Sequence, residues 1–352
     1  MLDLHAHAVL YGARGAGKTS LVRGFGDHAD ERGYVVLYLS CGSGGTFSSI
    51  FAPYLADLPD ACFAPDARDA ARAAIRALPP EFDARAFAAV LAHVTNRDLI
   101  FVVDEFDRVE DPVALSEIAA LLKLLTDLRA RVQLLFVGIA GNVTELIEAH
   151  PSLRRHLIAV PLGRFDPSGV DALFANGERR TGLMFTPTAR QVIADMASGS
   201  PYHLRLFCFC AAMATVDAQS QIVGEREVEH GLRLALSMWS STNTRASHLF
   251  QSLAGQSVPM RTTLARLATE SLRGDPTAPP TLVAEHPDDP PLVQRQRASA
   301  MVALAPALKP VGEGLFIFDD ALAPQLLLVT CRLAEIDALH EGTTAAKWEA
   351  LA

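Results

Sequence analysis

Gly12-Ala13-Arg14-Gly15-Ala16-Gly17-Lys18-Thr19 is a complete GxxxxGK[ST] loop. It follows a short apolar run, Ala8-Val9-Leu10-Tyr11, and precedes an amphipathic stretch from Ser20 to Ala29. A strand, a glycine-rich loop and a helix in that order make a cradle for phosphate groups. Glycines let the backbone curl so that several N–H groups face one anion, and the helix N-terminus adds partial positive charge. Gly12, Ala13, Arg14, Gly15, Ala16, Gly17, Lys18, Thr19 and Ser20 are therefore the candidate nucleotide-binding set. Lys18 has the reach for β- and γ-phosphates, and the Thr19 hydroxyl suits Mg2+. The competing reading is a glycine-rich turn with no ligand, and the downstream sequence weighs against it.

Asp98-Leu99-Ile100-Phe101-Val102-Val103-Asp104-Glu105 is an apolar strand that ends in adjacent carboxylates. Asp104, at the carboxyl end of such a strand, is placed to bind Mg2+ directly or through water. Glu105 is the natural general base for an attacking water. An ordinary strand exit would carry similar residues, but the phosphate loop upstream makes the pair a site.

Half of the 352 residues are hydrophobic, 20% are charged and the formal net charge is −9. That composition predicts a packed chain long enough for two or three domains. The overall charge gives no push toward nucleic acid, although it leaves room for a local basic patch. No apolar run approaches the roughly 18 residues needed to span a bilayer. No secretory signal is visible either, so a cytoplasmic protein is expected. Cys41, Cys62 and Cys331 stand alone, and Cys208 and Cys210 form CxC within an apolar run. Zinc sites want CxxC pairs or nearby histidines, so these read as buried reduced thiols.

Continuous apolar runs at Ala8–Tyr11, Val35–Leu39, Leu99–Val103, Val132–Val137 and Leu157–Val160 alternate with helical patterns. Such runs predict a parallel sheet buried on both faces. Asp111 and Pro112 open one crossover helix, with Leu115, Ile118, Leu122, Leu125 and Leu128 as its apolar face. Gly24 and Gly26 interrupt the helix after the loop, and close packing on the sheet is one reason they would be there. Thr46 is read as the cap of a short helix, Phe47 to Leu55. His5 and His7 are predicted to pack on one side of the first strand. Beyond about residue 165 helices dominate, with starts at Thr186-Pro187, Pro201 and Glu225. Residues 274–291 read as an exposed Pro- and Asp-rich linker. Val311-Gly312-Glu313-Gly314-Leu315 reads as a hairpin, and Ala323 to Leu339 as a last helix.

The loop, the carboxylate-ended strand and the helical region together resemble the AAA+ ATPase superfamily over roughly residues 8–235. Within it, Val103-Asp104-Glu105-Phe106-Asp107 resembles the origin-recognition-type initiators, the transposon-encoded AAA+ regulators and the STAND ATPases. The resemblance implies an α/β P-loop core at 1–164, a helical lid at 165–240 and a winged-helix-like domain at 241–352. It implies ATP and Mg2+ as cofactors. By position it makes Asn142 the sensor-1 candidate, Arg154 or Arg155 the arginine finger, and Arg205 the sensor-2 arginine. Asn142 would equally cap a helix starting at Val143. Arg154 and Arg155 would equally close a helix C-terminus, and Arg205 would equally be a helix-surface residue.

A ring or filament of identical chains is expected if Arg154 or Arg155 acts on a neighbouring subunit. The implied winged helix would offer Pro291 to Leu308 as a DNA-reading helix, with Arg295, Arg297 and nearby Lys309. Arg261, Arg266 and Arg273 add to it, while Glu285, Asp288 and Asp289 oppose it. Two roles follow: an ATP-driven switch with a protein partner, or a DNA-associated ATPase of replication, transposition or mobile elements. The high alanine content points to a GC-rich bacterial genome.

Overall fold

A computed structural model describes residues 1–42, 44–139, 157–275 and 277–349. The chain forms two compact units. One comprises Met1–Ala13 with Gly17–Leu162, the other Arg14–Ala16 with Gly163–Ala352.

The first unit is built on β1 (His7–Tyr11), β2 (Val35–Ser40), β3 (Leu99–Asp104), β4 (Val132–Gly138) and β5 (Leu157–Pro161). They form one parallel sheet in the order β2-β3-β4-β1-β5. The apolar runs of the sequence therefore mark all of these strands. Only the inner ones are buried on both faces. β2 and β5 are sheet edges and keep partly exposed residues, which corrects the expectation for those two.

Helices cover both faces. On one, α1 (Lys18–Glu31) packs Val22 and Ala29 against Ala8, Leu10, Ile100, Val102, Leu135 and Val137. On the other, α2 (Phe47–Asp57), α3 (Arg68–Ala77), α4 (Ala84–Leu91) and α5 (Pro112–Asp127) enclose Val9, Phe101, Val103 and Phe136. Alternation along β3, with Phe101 and Val103 on one side and Ile100 and Val102 on the other, splits the core this way. Phe47, Phe51, Tyr54 and Phe87 cluster against Phe101.

Local signals behave as their chemistry requires. Thr46 accepts from Ser49 N and caps α2, and Asp111 accepts from Val113 N and caps α5. Leu128 lies past the end of α5 and is exposed, so it is not part of that helix's buried face. A Cβ at Gly26 would fall 1.5 Å from the Tyr38 hydroxyl oxygen, which sits on the helix and donates to the Val22 carbonyl. Close packing on β2 thus explains Gly26. A Cβ at Gly24 would meet nothing, and the structure offers no reason for that glycine. His7 is buried in β1 and its Nδ1 accepts from Leu134 N at 3.1 Å. His5 is exposed and precedes the strand in left-handed backbone, so the two do not pair on one face.

The second unit contains α6 (Pro167–Thr181), α7 (Pro187–Ala197), α8 (Pro201–Asp217) and α9 (Glu225–Thr242). They are joined by a short parallel pair, β6 (Met184–Phe185) with β7 (Ile222–Val223), which no sequence signal announced. Then come α10 (Thr244–Gln256), α11 (Val258–Ser271), β8 (Thr281–Val283), α12 (Pro291–Leu304), β9 (Leu308–Gly312), β10 (Leu315–Phe318) and α13 (Ala323–Glu349). The hairpin β9–β10 turns at Gly314, which has φ +66°. The expected linker is not wholly irregular, because β8 lies in it and pairs antiparallel with β10. A single apolar cluster runs through this unit from Phe174 to Leu333. Among the described residues no helix is long and apolar enough to cross a membrane.

Candidate functional site at the carboxyl edge of the sheet

The candidate groups converge because parallel strands end on the same edge. Register pairs Ser40 with Asp104 and Tyr11 with Gly138, so β2, β3, β4 and β1 finish together. Ligands of open α/β sheets bind at such an edge. β4 lies between the strand that leads into the loop and the strand that carries the carboxylates.

Gly15 and Gly17 have φ of +81° and +90°, a region that L side chains avoid. These two glycines let the loop turn before α1 begins at Lys18. Gly12 is held close to the end of β5, where an added Cβ would lie 2.1 Å from the Leu162 carbonyl oxygen. Lys18 Nζ donates to the carbonyls of Gly12 at 2.8 Å and Ala13 at 3.0 Å. The ammonium thus folds back over its own loop, where an arriving phosphate oxygen would replace the carbonyls. Thr19 and Ser20 are exposed on the first turn of α1.

Thr19 Oγ1 donates to Asp104 Oδ2 at 3.0 Å, across 85 residues of sequence. The other carboxylate oxygen of Asp104 accepts from Glu105 N at 2.8 Å. A hydroxyl and a carboxylate in contact are hard oxygen donors of the kind Mg2+ takes. With Lys18 beside them, the residues fit a magnesium–nucleotide complex.

Glu105 begins the turn after β3, with φ +55° and ψ +36°. Such left-handed geometry in a non-glycine residue costs of order 1 kcal/mol and recurs at functional sites. Its Oε2 accepts from Ser40 Oγ at 2.7 Å. Arg108 grips the same carboxylate with Nη2 3.2 Å from Oε1 and Nη1 3.2 Å from Oε2. Ser40 and Arg108 escaped sequence reasoning. The available signals were a polar residue closing the apolar run of β2, and an arginine three places after Glu105.

Cys41 follows Ser40 and is buried. Burial, with Asp104, Glu105 and Asp107 nearby, pushes its thiol up to about 12, so it stays protonated. All the cysteines are free thiols.

Of the remaining candidates, Arg205 alone lies among the described residues. Arg205 is an exposed residue of α8 in the second unit. Asn142, Arg154 and Arg155 lie outside the described residues. The basic face expected on α12 is much reduced. Arg297 is 1% exposed and points inward, with Nε 2.8 Å from Asp289 and Nη2 2.6 Å from Glu270. Arg266 joins the same acids. Lys309 pairs with Asp319, while Arg295 stays exposed. Of the acids that seemed to oppose DNA binding, Asp289 is a partner within the fold, while Glu285 and Asp288 are exposed, and sequence alone could not tell them apart.

Residues 4–137 match a family model described as the AAA ATPase domain, which shows the resemblance to AAA+ P-loop ATPases. Solved structures similar to this chain include the Aeropyrum pernix ORC2 protein in ADPNP–ADP complexes. It is 16% identical with a TM-score of 0.49, over 95% of this chain and 88% of that one. The Aeropyrum pernix ORC1 protein in complex with DNA is 14% identical with a TM-score of 0.46, over 92% and 86%. The Thermotoga maritima RuvB Holliday junction branch migration motor is 13% identical with a TM-score of 0.45, over 90% and 86%. No curated protein matches the chain in sequence.

Proposed function

We propose that this chain, which carries an AAA ATPase domain, is a Mg2+-dependent ATP-hydrolysing switch that couples nucleotide state to a protein partner or an assembly of identical chains. One observation carries the reading: the Thr19 hydroxyl rests on Asp104 at the sheet edge where Lys18 and Glu105 also stand. Gly12 to Ser20 would enclose the phosphates, with Lys18 exchanging the carbonyls of Gly12 and Ala13 for β- and γ-phosphate oxygens. Thr19 and Asp104 would hold the cation. Held there by Thr19 and Asp104, Mg2+ would supply positive charge to offset that developing on the phosphate in the reaction. Glu105 would accept the proton of the attacking water at a carboxylate oxygen.

Within the same reading, Asn142 would orient the water, and Arg154 or Arg155 would reach a neighbouring subunit's nucleotide. Arg205 would sense nucleotide from the lid. We assign the lid to 165–240 and a winged-helix-like module to 241–352, on the order helix, helix, strand, helix, hairpin. A protein partner is favoured over DNA because Arg297 and Arg266 are spent on Asp289 and Glu270. Phosphate contacts need outward-facing cations.

Binding of a fluorescent ATP analogue and release of phosphate test the proposal in parallel. Lys18→Ala should weaken binding by about 10- to 100-fold, the range for a lost charge-assisted contact. Arg154→Ala or Arg155→Ala should spare binding and lower hydrolysis. Hydrolysis should not respond to double-stranded DNA at moderate salt; stimulation there would replace the protein partner with DNA.

A further inference from the structure

A charged side chain in the wall of a cavity needs a partner, and where the fold supplies none the place falls to water or to a ligand. The second unit contains a cavity of about 500 Å3, a size typical of small-molecule sites. Helices α7, α11 and α13 line it, and α13 packs against each of the other two. Val192 and Met196 of α7, Arg261 and Ala265 of α11, and Leu328 and Arg332 of α13 all face it. In each helix the two residues stand one turn apart, so a single stripe of each helix makes the wall.

The lining has an aliphatic part and a charged part. Val192, Met196, Ala265 and Leu328 are buried or half-buried and form the first. No ring stands in the lining, so a nucleobase or another flat ring finds no platform to stack on. Asp195, Arg261, Arg332 and Glu335 form the second part. Arg332 is already taken, with Nη1 2.9 Å from the Glu335 carboxylate, and Asp195 accepts from Gln191 Nε2 at 2.8 Å.

Arg261 differs from these. Its Nη1 makes a long bond of 3.4 Å to the Ala254 carbonyl, and among the described residues no carboxylate pairs with it. The side chain is only partly exposed. Its charge is felt by the buried Cys331 thiol of the same lining, where it opposes the upward push of burial. The guanidinium therefore keeps N–H donors for an acceptor that the fold does not provide. Asp195 and Glu335 limit what that acceptor can be. A ligand with several negative charges, such as a nucleotide, would meet repulsion from both, whereas a single negative charge can sit on Arg261.

We propose that this cavity binds an aliphatic monocarboxylate, with the carboxylate on Arg261 and the chain along Val192, Met196, Ala265 and Leu328. Such a ligand would tie α7 to α11 and α13 and stabilise the second unit by mass action. The site is separate from the sheet edge of the first unit, and its occupancy is read without nucleotide.

Calorimetric titration of the full chain with octanoate, octanol and octylammonium provides the test, with circular-dichroism melts showing that each variant is folded. Octanoate should bind saturably at one site per chain. Octanol and octylammonium should bind at least about ten-fold more weakly, the scale of one charge-assisted hydrogen bond. Arg261→Gln should lower octanoate affinity about ten-fold and leave octanol unchanged, and Arg261→Lys should fall between wild type and Arg261→Gln. Arg332→Gln, which removes a cation already paired, should stay within about three-fold of wild type. Ala265→Leu, which fills the aliphatic part, should weaken octanoate and octanol alike. Absence of saturable octanoate binding to wild type overturns the proposal. So does octanol or octylammonium binding as tightly as octanoate, or octanoate affinity that is indifferent to Arg261→Gln in a folded chain.

Discussion

Arg108 in the first unit and Arg297 in the second each hold carboxylates, and they do so for different ends. Arg108 grips Glu105 at the sheet edge with both side chains about half in water. Arg297 in the second unit is almost wholly enclosed and reaches Asp289, Glu270 and the Val283 carbonyl at once. Its guanidinium holds the Asp289 carboxyl below the usual carboxylate range. A solvated pair contributes little to stability and can open. A buried charge with every partner in place cannot lose one without leaving the rest uncompensated. The first arrangement suits a site that changes state, and the second fixes a fold.

The sharpest way to break this contrast is to remove each guanidinium. Arg297→Leu should lower unfolding free energy by about 3–5 kcal/mol in denaturant titrations, since Asp289 and Glu270 would be left without their central cation. Arg108→Gln should stay within about 1 kcal/mol of wild type. Equal losses would mean that the two pairs do the same work.

A second test uses acid. His203 is fully enclosed at the start of α8, with Nδ1 2.9 Å from the Ser200 hydroxyl. Burial pushes its pKa down to about 3. The folded chain therefore keeps this ring neutral, while the unfolded chain takes up a proton near pH 6.5. Stability should hold above pH 6.5 and fall as the pH drops from there toward 3, by up to about 1.4 kcal/mol per pH unit. His203→Asn should flatten that slope. An unchanged slope would mean the enclosure is not the source of acid sensitivity in the second unit.

A smaller effect probes the frame beneath the site. Gly26→Ala drives a methyl into the Tyr38 hydroxyl and should cost about 1–3 kcal/mol. Gly24→Ala meets open space and should gain up to about 1 kcal/mol of helix propensity. Matching changes at both positions would show that α1 is not held on β2 by this contact.

The parts legible in the sequence were those with a local cause. Every strand of the parallel sheet is a run of apolar residues, and Thr46, Asp111 and Thr186 cap their helices through bonds a few residues away. The glycines and Lys18 of the loop, and the carboxylates after Val103, carry their chemistry in their order. What escaped depends on distant partners. Arg297 looks like a surface cation until α11 and the linker bring Glu270 and Asp289 to it. Ser40 gains meaning only when β2 lies in register beside β3. β8 is too short to stand out in a Pro-rich linker and exists because β10 pairs with it.

The central claim is that Glu105 activates water at a site built for Mg2+ and ATP. Phosphate release by wild type and Glu105→Gln, with binding of a fluorescent ATP analogue measured on the same samples, tests it most directly. The account predicts equal binding and at least about a 100-fold loss of hydrolysis in Glu105→Gln, the scale of general-base catalysis. Hydrolysis by Glu105→Gln at the wild-type rate would contradict it.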